Sequence, residues 1–190
     1  MSLSRFTGSR ESARARRFDS LMRPYVRGLY LTAYRFTGRR EDAEDLVQDL
    51  LVKLYPRLPE LEQIEDLKPW LARSLYNAFI DGVRKAKRAP EMVDVDEGEY
   101  EGSEDPHADV LTLEQRGALS GAIDKLNPEH RAVVMLHLVE GHSLPELAVM
   151  LDVQIGTLKS RLHRAKAQLQ ESLAFMEPKP SAQRVSQHEL

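Results

Sequence analysis

Residues 143–166 read SLPELAVMLDVQIGTLKSRLHRAK, and the reading of this stretch decides the fold. Ser143 and Glu146 stand three residues apart, the spacing of a capping box. The hydroxyl accepts from the backbone amide three residues on, and the carboxylate returns to the amide of the cap itself. Pro145 is harmless there, because an amide in the first turn of a helix has no helical partner to lose. A short helix carrying Leu147, Ala148 and Leu151 is expected to end at Asp152, and another to begin near Ile155 or Gly156. In that second helix Leu158, Leu162, Ala165 and Leu169 fall at steps of four, three and four. They form one apolar stripe, which leaves Lys159, Ser160, Arg161, His163, Arg164 and Lys166 for the outer surface. Helix, tight turn and cationic outer helix make a helix-turn-helix, whose second helix can bring Arg and Lys to phosphates and purine edges.

Outward from that motif the pattern stays helical. Upstream, Asn127 is a good N-cap with Pro128 at the first helical position, and the helix through Val133, Val134, Leu136 and Leu138 should stop at Gly141. Near the N-terminus, Phe18, Leu21, Met22, Tyr25, Leu29, Ala33 and Phe36 repeat at steps of three and four, and Gly38 supplies a left-handed end. A second helix follows, with Ala43, Leu46, Val47, Leu50, Leu51 and Leu54 on one stripe and Glu41, Asp42, Glu44 and Asp45 loading its first turn. Negative charge is favourable at that end of the helix dipole. Pro56 and Pro59 should end it, a loop should run from Glu60 to Lys68, and a third helix should open at Pro69. That helix is expected to turn Trp70, Leu71, Leu75, Ala78, Phe79 and Val83 inward before running into Arg84, Lys85, Lys87 and Arg88. The expectation is an all-α chain of two small helical domains.

Charge marks the boundary between them. Residues 91–115 hold ten acidic side chains and no basic one, whereas the rest of the chain carries +7, so the overall −3 hides a segregated distribution. The acidic stretch has Pro and Gly but neither helical nor strand period, and it cannot bury enough apolar surface to offset its ordering entropy. Residues 91–111 are therefore expected to be a flexible linker. Fully extended it would span about 70 Å, and as a coil roughly 25 Å, leaving the two lobes at no fixed separation. The expected division is a basic, disordered arm over 1–17, a first domain over 18–90, the linker, a second domain over 112–175 and a disordered tail over 176–190.

Composition excludes several classes of chemistry. The 190 residues contain no Cys, which removes disulfides, thiolate metal sites and thiol nucleophiles together. The six His are scattered, and His137 and His142 are five apart rather than the three or four that would align two ligands on one helix face. Glycine-rich phosphate loops and nucleophile elbows are absent from the sequence. Catalytic residues, metal, cofactor and small-molecule substrate are all expected to be absent, and no stretch approaches the roughly 20 apolar residues of a membrane span.

Five segments in order carry a family resemblance: Asp42 to Asp49 (DAEDLVQD), Pro69 to Arg73 (PWLAR), Asn77 to Arg84 (NAFIDGVR), Leu126 to Arg131 (LNPEHR) and Gly156 to Lys166 (GTLKSRLHRAK). Over about residues 18–173 the chain resembles a bacterial extracytoplasmic-function sigma factor, with region 2 in the first lobe, region 4 in the second and no region 3 between. The resemblance implies a promoter-specificity subunit that binds core RNA polymerase, through the clamp helices of β′ and through β, as well as promoter DNA. It also implies an anti-sigma factor partner and a cytoplasmic location in a bacterium. Asp45, Gln48 and Asp49 are the implied polymerase contacts. They share one surface at i, i+3 and i+4, an acidic patch suited to a basic partner.

For the minus 10 element the resemblance implies Asn77 as a base contact, the loop 60–68 as the pocket for an extruded base, and Arg73, Arg84, Lys85, Lys87 and Arg88 on phosphates. Trp70 reads either as core or as a stacking residue at the fork junction. For the minus 35 element it implies Thr157, Lys159, Ser160, Arg161, His163, Arg164 and Lys166. Asp152 stands where the family usually has Gly, and it must take the left-handed backbone that Asp tolerates better than most residues. Two other readings stay open on the residues alone: a stand-alone repressor or activator using only the helix-turn-helix, and an adaptor that binds another protein through the first lobe.

Overall fold

The structure is a computed structural model, and it describes residues 4–88 and 113–174. Among these every regular element is helical. The first lobe comprises α1 (Ser4–Thr37), α2 (Arg40–Leu54), a 3-10 turn (Tyr55–Arg57), the single-turn α3 (Leu58–Leu61) and α4 (Leu67–Arg88). The second comprises α5 (Leu113–Asp124), α6 (Pro128–Val134) continued by a π-helical turn (Met135–Val139), α7 (Leu144–Leu151) and α8 (Ile155–Leu173). The linker 91–111 and the tail 176–190 lie outside the described residues.

The punctuation expected of the sequence is present. Gly38 and Gly141 end their helices at φ 75° and 80°, and Asp152 takes the left-handed conformation at φ 56°. Gly38 is required twice over, since a Cβ there would also lie 2.8 Å from Oδ1 of Asp124. Asn127 accepts from the amide of Glu129, and Ser143 and Glu146 form both halves of the capping box. Burial explains the helix order: Met22, Leu29, Ala33 and Phe36 of α1 meet Ala43, Val47 and Leu50 of α2, and Phe36 packs on Phe79 of α4 at 5.2 Å.

Three expectations need correction. The segment 1–17 is helical from Ser4 onward, and Glu11, Arg14 and Arg17 in it find partners on the 3-10 turn and at the end of α3. Arg14 donates to the carbonyls of Tyr55 and Pro56 at 3.2 and 2.8 Å, its guanidinium lies over the Tyr55 ring, Tyr55 donates to Glu11, and Arg17 pairs with Glu62. The loop expected over 60–68 is shorter, since α3 continues to Leu61 and α4 starts at Leu67.

The third correction concerns spacing and not the domains themselves: both helical lobes are present as expected, but they pack against each other rather than standing at no fixed separation. One hydrophobic core runs through both, and α4 packs on α6 and α7 while α1 packs on α6 and its π-helical continuation. Helix α4 consequently buries two faces. Leu71, Leu75 and Phe79 point inward as expected, with Trp70, Ala78 and Val83 only half-buried, but Tyr76 and Ile80 are buried as well.

Candidate functional site

Three helical surfaces carry the expected binding residues. On α2 the stripe Ala43, Val47, Leu50 and Leu54 is buried, which turns Asp45, Gln48 and Asp49 to solvent. These three make no hydrogen bond or ion pair with other described residues; the neighbouring charges Glu44 and Asp42 are instead engaged by Arg40 and Arg39. Val52, one turn beyond Asp49, is 72% exposed and extends the same face with an apolar member. The sequence reading missed it, although a Val seven residues after Asp45 and outside the buried stripe was visible.

On α4 the residues divide. Asn77, Lys85 and Arg88 are exposed, and the side chain of Lys87 lies outside the described residues. Trp70 packs half-buried at the edge of the core with the Arg57 guanidinium 5.3 Å above its ring. Arg73 and Arg84, however, are drawn to the second lobe: Arg73 pairs with Asp152 at 2.7 Å, and Arg84 approaches Glu129 at 3.5 Å and Asp81 at 3.9 Å. Tyr76 lies beneath that lobe, and burial pushes its phenol pKa up.

On α8 the stripe Leu158, Leu162 and Ala165 is buried, and Lys159, Ser160, His163, Arg164 and Lys166 are exposed as expected. Thr157 is half-buried and accepts through its carbonyl from the Ser160 hydroxyl. Arg161 departs from the expectation. Its side chain is 18% exposed, it pairs with Glu129 of α6, and it donates to the Tyr76 hydroxyl at 3.2 Å. It sits one residue from the buried stripe, where the second lobe meets α4, so in this conformation it is on the inner rather than the outer surface.

The contact between lobes is polar around its apolar centre. Arg131 of α6, with only 11% of its side chain exposed, donates to the carbonyls of Phe36 and Thr37 at 3.1 and 3.4 Å, to Asp124 O at 2.5 Å, and pairs with the Asp124 carboxylate. Burial pulls its guanidinium below its ordinary pKa. Glu140 accepts from the Thr32 hydroxyl at 2.8 Å and pairs with Arg35 at 3.0 Å, both on α1. Beside it, an open groove of about 1130 Å³ runs between α1, α4 and α7, lined by apolar groups such as Tyr25, Leu29, Ala72, Val149 and Met150.

Among the described residues, no cluster of His, Asp and Glu could hold a metal ion, and no helix is long and apolar enough to cross a membrane. The sequence matches the family description Sigma-70 region 2 over residues 21–89 and Sigma-70, region 4 over residues 116–169. It is 34% identical over 171 residues to the ECF RNA polymerase sigma factor SigE of Mycolicibacterium smegmatis, covering 89% of this chain and 66% of that one. It is 33% identical over 162 residues to the ECF RNA polymerase sigma factor SigM of Mycobacterium tuberculosis, covering 84% and 78%. Among solved structures it resembles the sigma factor RpoE of Bartonella quintana, determined in complex with the anti-sigma factor NepR. There the TM-score is 0.58 and the identity 30%, over 83% of this chain and 96% of that one.

Proposed function

The chain belongs to the extracytoplasmic-function sigma factors, which bind core RNA polymerase and direct promoter-specific initiation, and we propose how its own surfaces share that work. The α2 face of Asp45, Gln48 and Asp49 docks on the clamp helices of β′. The observation that carries this assignment is that all three are exposed and unpartnered within the described chain, while the neighbouring Asp42 and Glu44 are paired with Arg39 and Arg40. Acidic groups held ready in this way steer a basic partner and lose no internal contact on docking.

The exposed edge of α4 then takes the minus 10 element. Asn77 meets a base edge, Lys85, Lys87 and Arg88 hold phosphates, and Arg73 and Arg84 join them once freed from Asp152 and Glu129. Trp70 stacks at the fork junction only if Arg57 leaves its ring. The N-terminal half of α8 enters the major groove of the minus 35 element, with Thr157, Lys159, Ser160, His163 and Arg164 facing the DNA and Lys166 on a phosphate; Arg161 joins them only when it is released from Tyr76. Region 2 occupies 18–90, region 4 occupies 112–175, and 91–111 is the tether between them. The chemistry of transcription is the polymerase's, and the sigma factor acts in the bacterial cytoplasm with it as a specificity subunit rather than an enzyme.

We also infer control by an anti-sigma factor. The B. quintana relative was solved with one bound, and the apolar groove here touches both lobes at once, so a helix seated in it would hold them together. The test is reconstituted transcription with bacterial core polymerase on pooled promoter fragments. New transcript starts that share two spaced motifs, vanish without the protein and weaken with Arg164→Ala support the reading. Tight duplex binding without polymerase and no new starts would instead favour a stand-alone regulator.

A further inference from the structure

We propose that the start of α1 braces the loop between α3 and α4, and that Arg14 and Arg17 are positioning residues for base discrimination within the minus 10 element. The inference rests on the minus 10 reading, in which that loop receives an extruded base; the brace itself belongs to the free chain.

The loop runs from Glu62 to Asp66. Its first amides are engaged by the turn behind them, Glu62 donating to Leu58 at 3.0 Å, Gln63 to Glu60 at 3.1 Å and Ile64 to Leu61 at 3.2 Å. Leu61 and Leu67 are buried at its two ends, whereas Gln63 and Glu65 at its tip are exposed. The tip is thus open to a ligand, and its direction depends on what holds the segment 55–62 from which it springs.

Helix α1 holds that segment from one side. The Tyr55 hydroxyl donates to Glu11 at 2.7 Å, and the Phe18 ring meets the Tyr55 ring edge-on at 5.3 Å. The Arg14 guanidinium lies 5.1 Å from the same ring centre while donating to the Tyr55 and Pro56 carbonyls. Arg17 takes Glu62, the first residue of the loop, with both arms of its guanidinium, at 3.0 and 2.5 Å. On the far side Arg57 donates to Glu60 at 2.9 and 2.7 Å and covers the Trp70 ring at the start of α4.

A groove of about 520 Å³ remains between Arg14, Arg17, Leu58 and Pro59, so close packing does not fix α1 against α3 and the polar contacts set their separation. Each is weak alone, as solvated pairs are: Arg17 and Glu62 are 65% and 32% exposed. Their joint effect is order in the loop. Glu11, Arg14, Arg17 and Phe18 all precede the stretch 21–89 matched to region 2, so this half of the brace comes from outside the shared domain.

Discrimination needs a loop held still. The right base gains its hydrogen bonds only where the loop's groups already stand at its edge, whereas a wrong base leaves them unpaired. A loop free to shift therefore loses the advantage of the right base. Loss of a phosphate contact would instead weaken every sequence alike.

The test uses the full chain, free and bound to bacterial core polymerase, with Arg14→Ala and Arg17→Ala combined. In the free variant the amides of Glu62, Gln63 and Ile64 should exchange with solvent about fivefold faster, while those of α2 do not change. In the polymerase complex, affinity is measured for a single-stranded non-template oligonucleotide bearing the minus 10 sequence of a promoter found by transcript-start mapping. A second oligonucleotide differs from it by one base of that element. The ratio of the two affinities should fall about fivefold. Tyr55→Phe removes the Glu11 contact without altering any charge beside the DNA, and should move both readouts the same way by about twofold. Unchanged exchange in the loop would overturn the proposal. An unchanged ratio would overturn it too, and equal weakening on both oligonucleotides would make Arg14 and Arg17 phosphate contacts instead. A wild-type complex that binds both oligonucleotides equally would defeat the minus 10 reading and the specificity role with it, leaving the brace to the exchange data.

Discussion

Helices α2 and α4 are neighbours in one lobe, and both bury an apolar stripe in the same core, yet their remaining surfaces are treated in opposite ways. The outer face of α2 is bare: Asp45, Gln48, Asp49 and Val52 meet only solvent among the described residues. The corresponding part of α4 is covered by a second lobe, which buries Tyr76 and Ile80 and pairs Arg73. The difference implies an order of events. A surface that is already exposed and unpaired can be recognised at once, whereas a covered one must first be uncovered at the expense of existing contacts. The face assigned to polymerase is therefore available in the free chain, and the face assigned to DNA becomes fully available only afterwards.

The largest expected effect tests the bare side of this contrast. Replacing Gln48 and Asp49 together by Ala should lower affinity for core polymerase about a hundredfold, near 3 kcal/mol, because a charged contact is lost at the centre of the docking face. The thermal midpoint of the free chain should not move, since neither side chain has an internal partner. Titration of labelled protein against core polymerase measures the first, and a melting curve the second. Unchanged core affinity would place the docking surface elsewhere.

The covered side should behave in reverse. Arg131→Ala leaves the carbonyls of Phe36, Thr37 and Asp124 without their donor in a largely buried setting, at about 2 kcal/mol of stability. The loss should appear as a lower denaturant midpoint. A variant as stable as wild type would show that the guanidinium's hydrogen bonds only offset the desolvation of its charge.

How much of this could be read from the sequence follows the same division. The helices, their caps and the left-handed turn at Asp152 were legible because they are local: a capping box, a proline or a glycine acts on residues within a turn of itself. The α2 face was legible because a single buried stripe leaves its opposite side exposed. What escaped was everything decided by contact between distant segments. Tyr76 and Ile80 lie off the stripe that packs α4 into its own lobe, and a helix reading has no second stripe to offer. Arg161 adjoins the apolar positions of α8 and reads as outer surface until Glu129 and Tyr76 are known to lie beside it. The basic segment 1–17 reads as disordered by charge, but its arginines have carbonyls and a carboxylate to meet 40 or so residues away.

The smallest effect expected is a pH dependence confined to the covered side. His130 lies on α6 facing Arg161, Arg164 and Glu129, and its Nδ1 is buried without a partner among the described residues. Burial, then the positive charges of Arg164 and Arg161, pull its pKa below the ordinary 6.5, outweighing Glu129. Well above pH 6.5 the ring is neutral whether the chain is folded or not, and it contributes no slope. Below 6.5 the unfolded chain takes up a proton that the folded one resists, so stability falls as pH drops from 6.5 toward the folded pKa. His130→Gln should flatten that part of the stability curve and leave the region above pH 7 unchanged, as denaturant titrations across pH 5 to 8 would measure. If the wild-type slope survives the substitution, a different group takes up the proton.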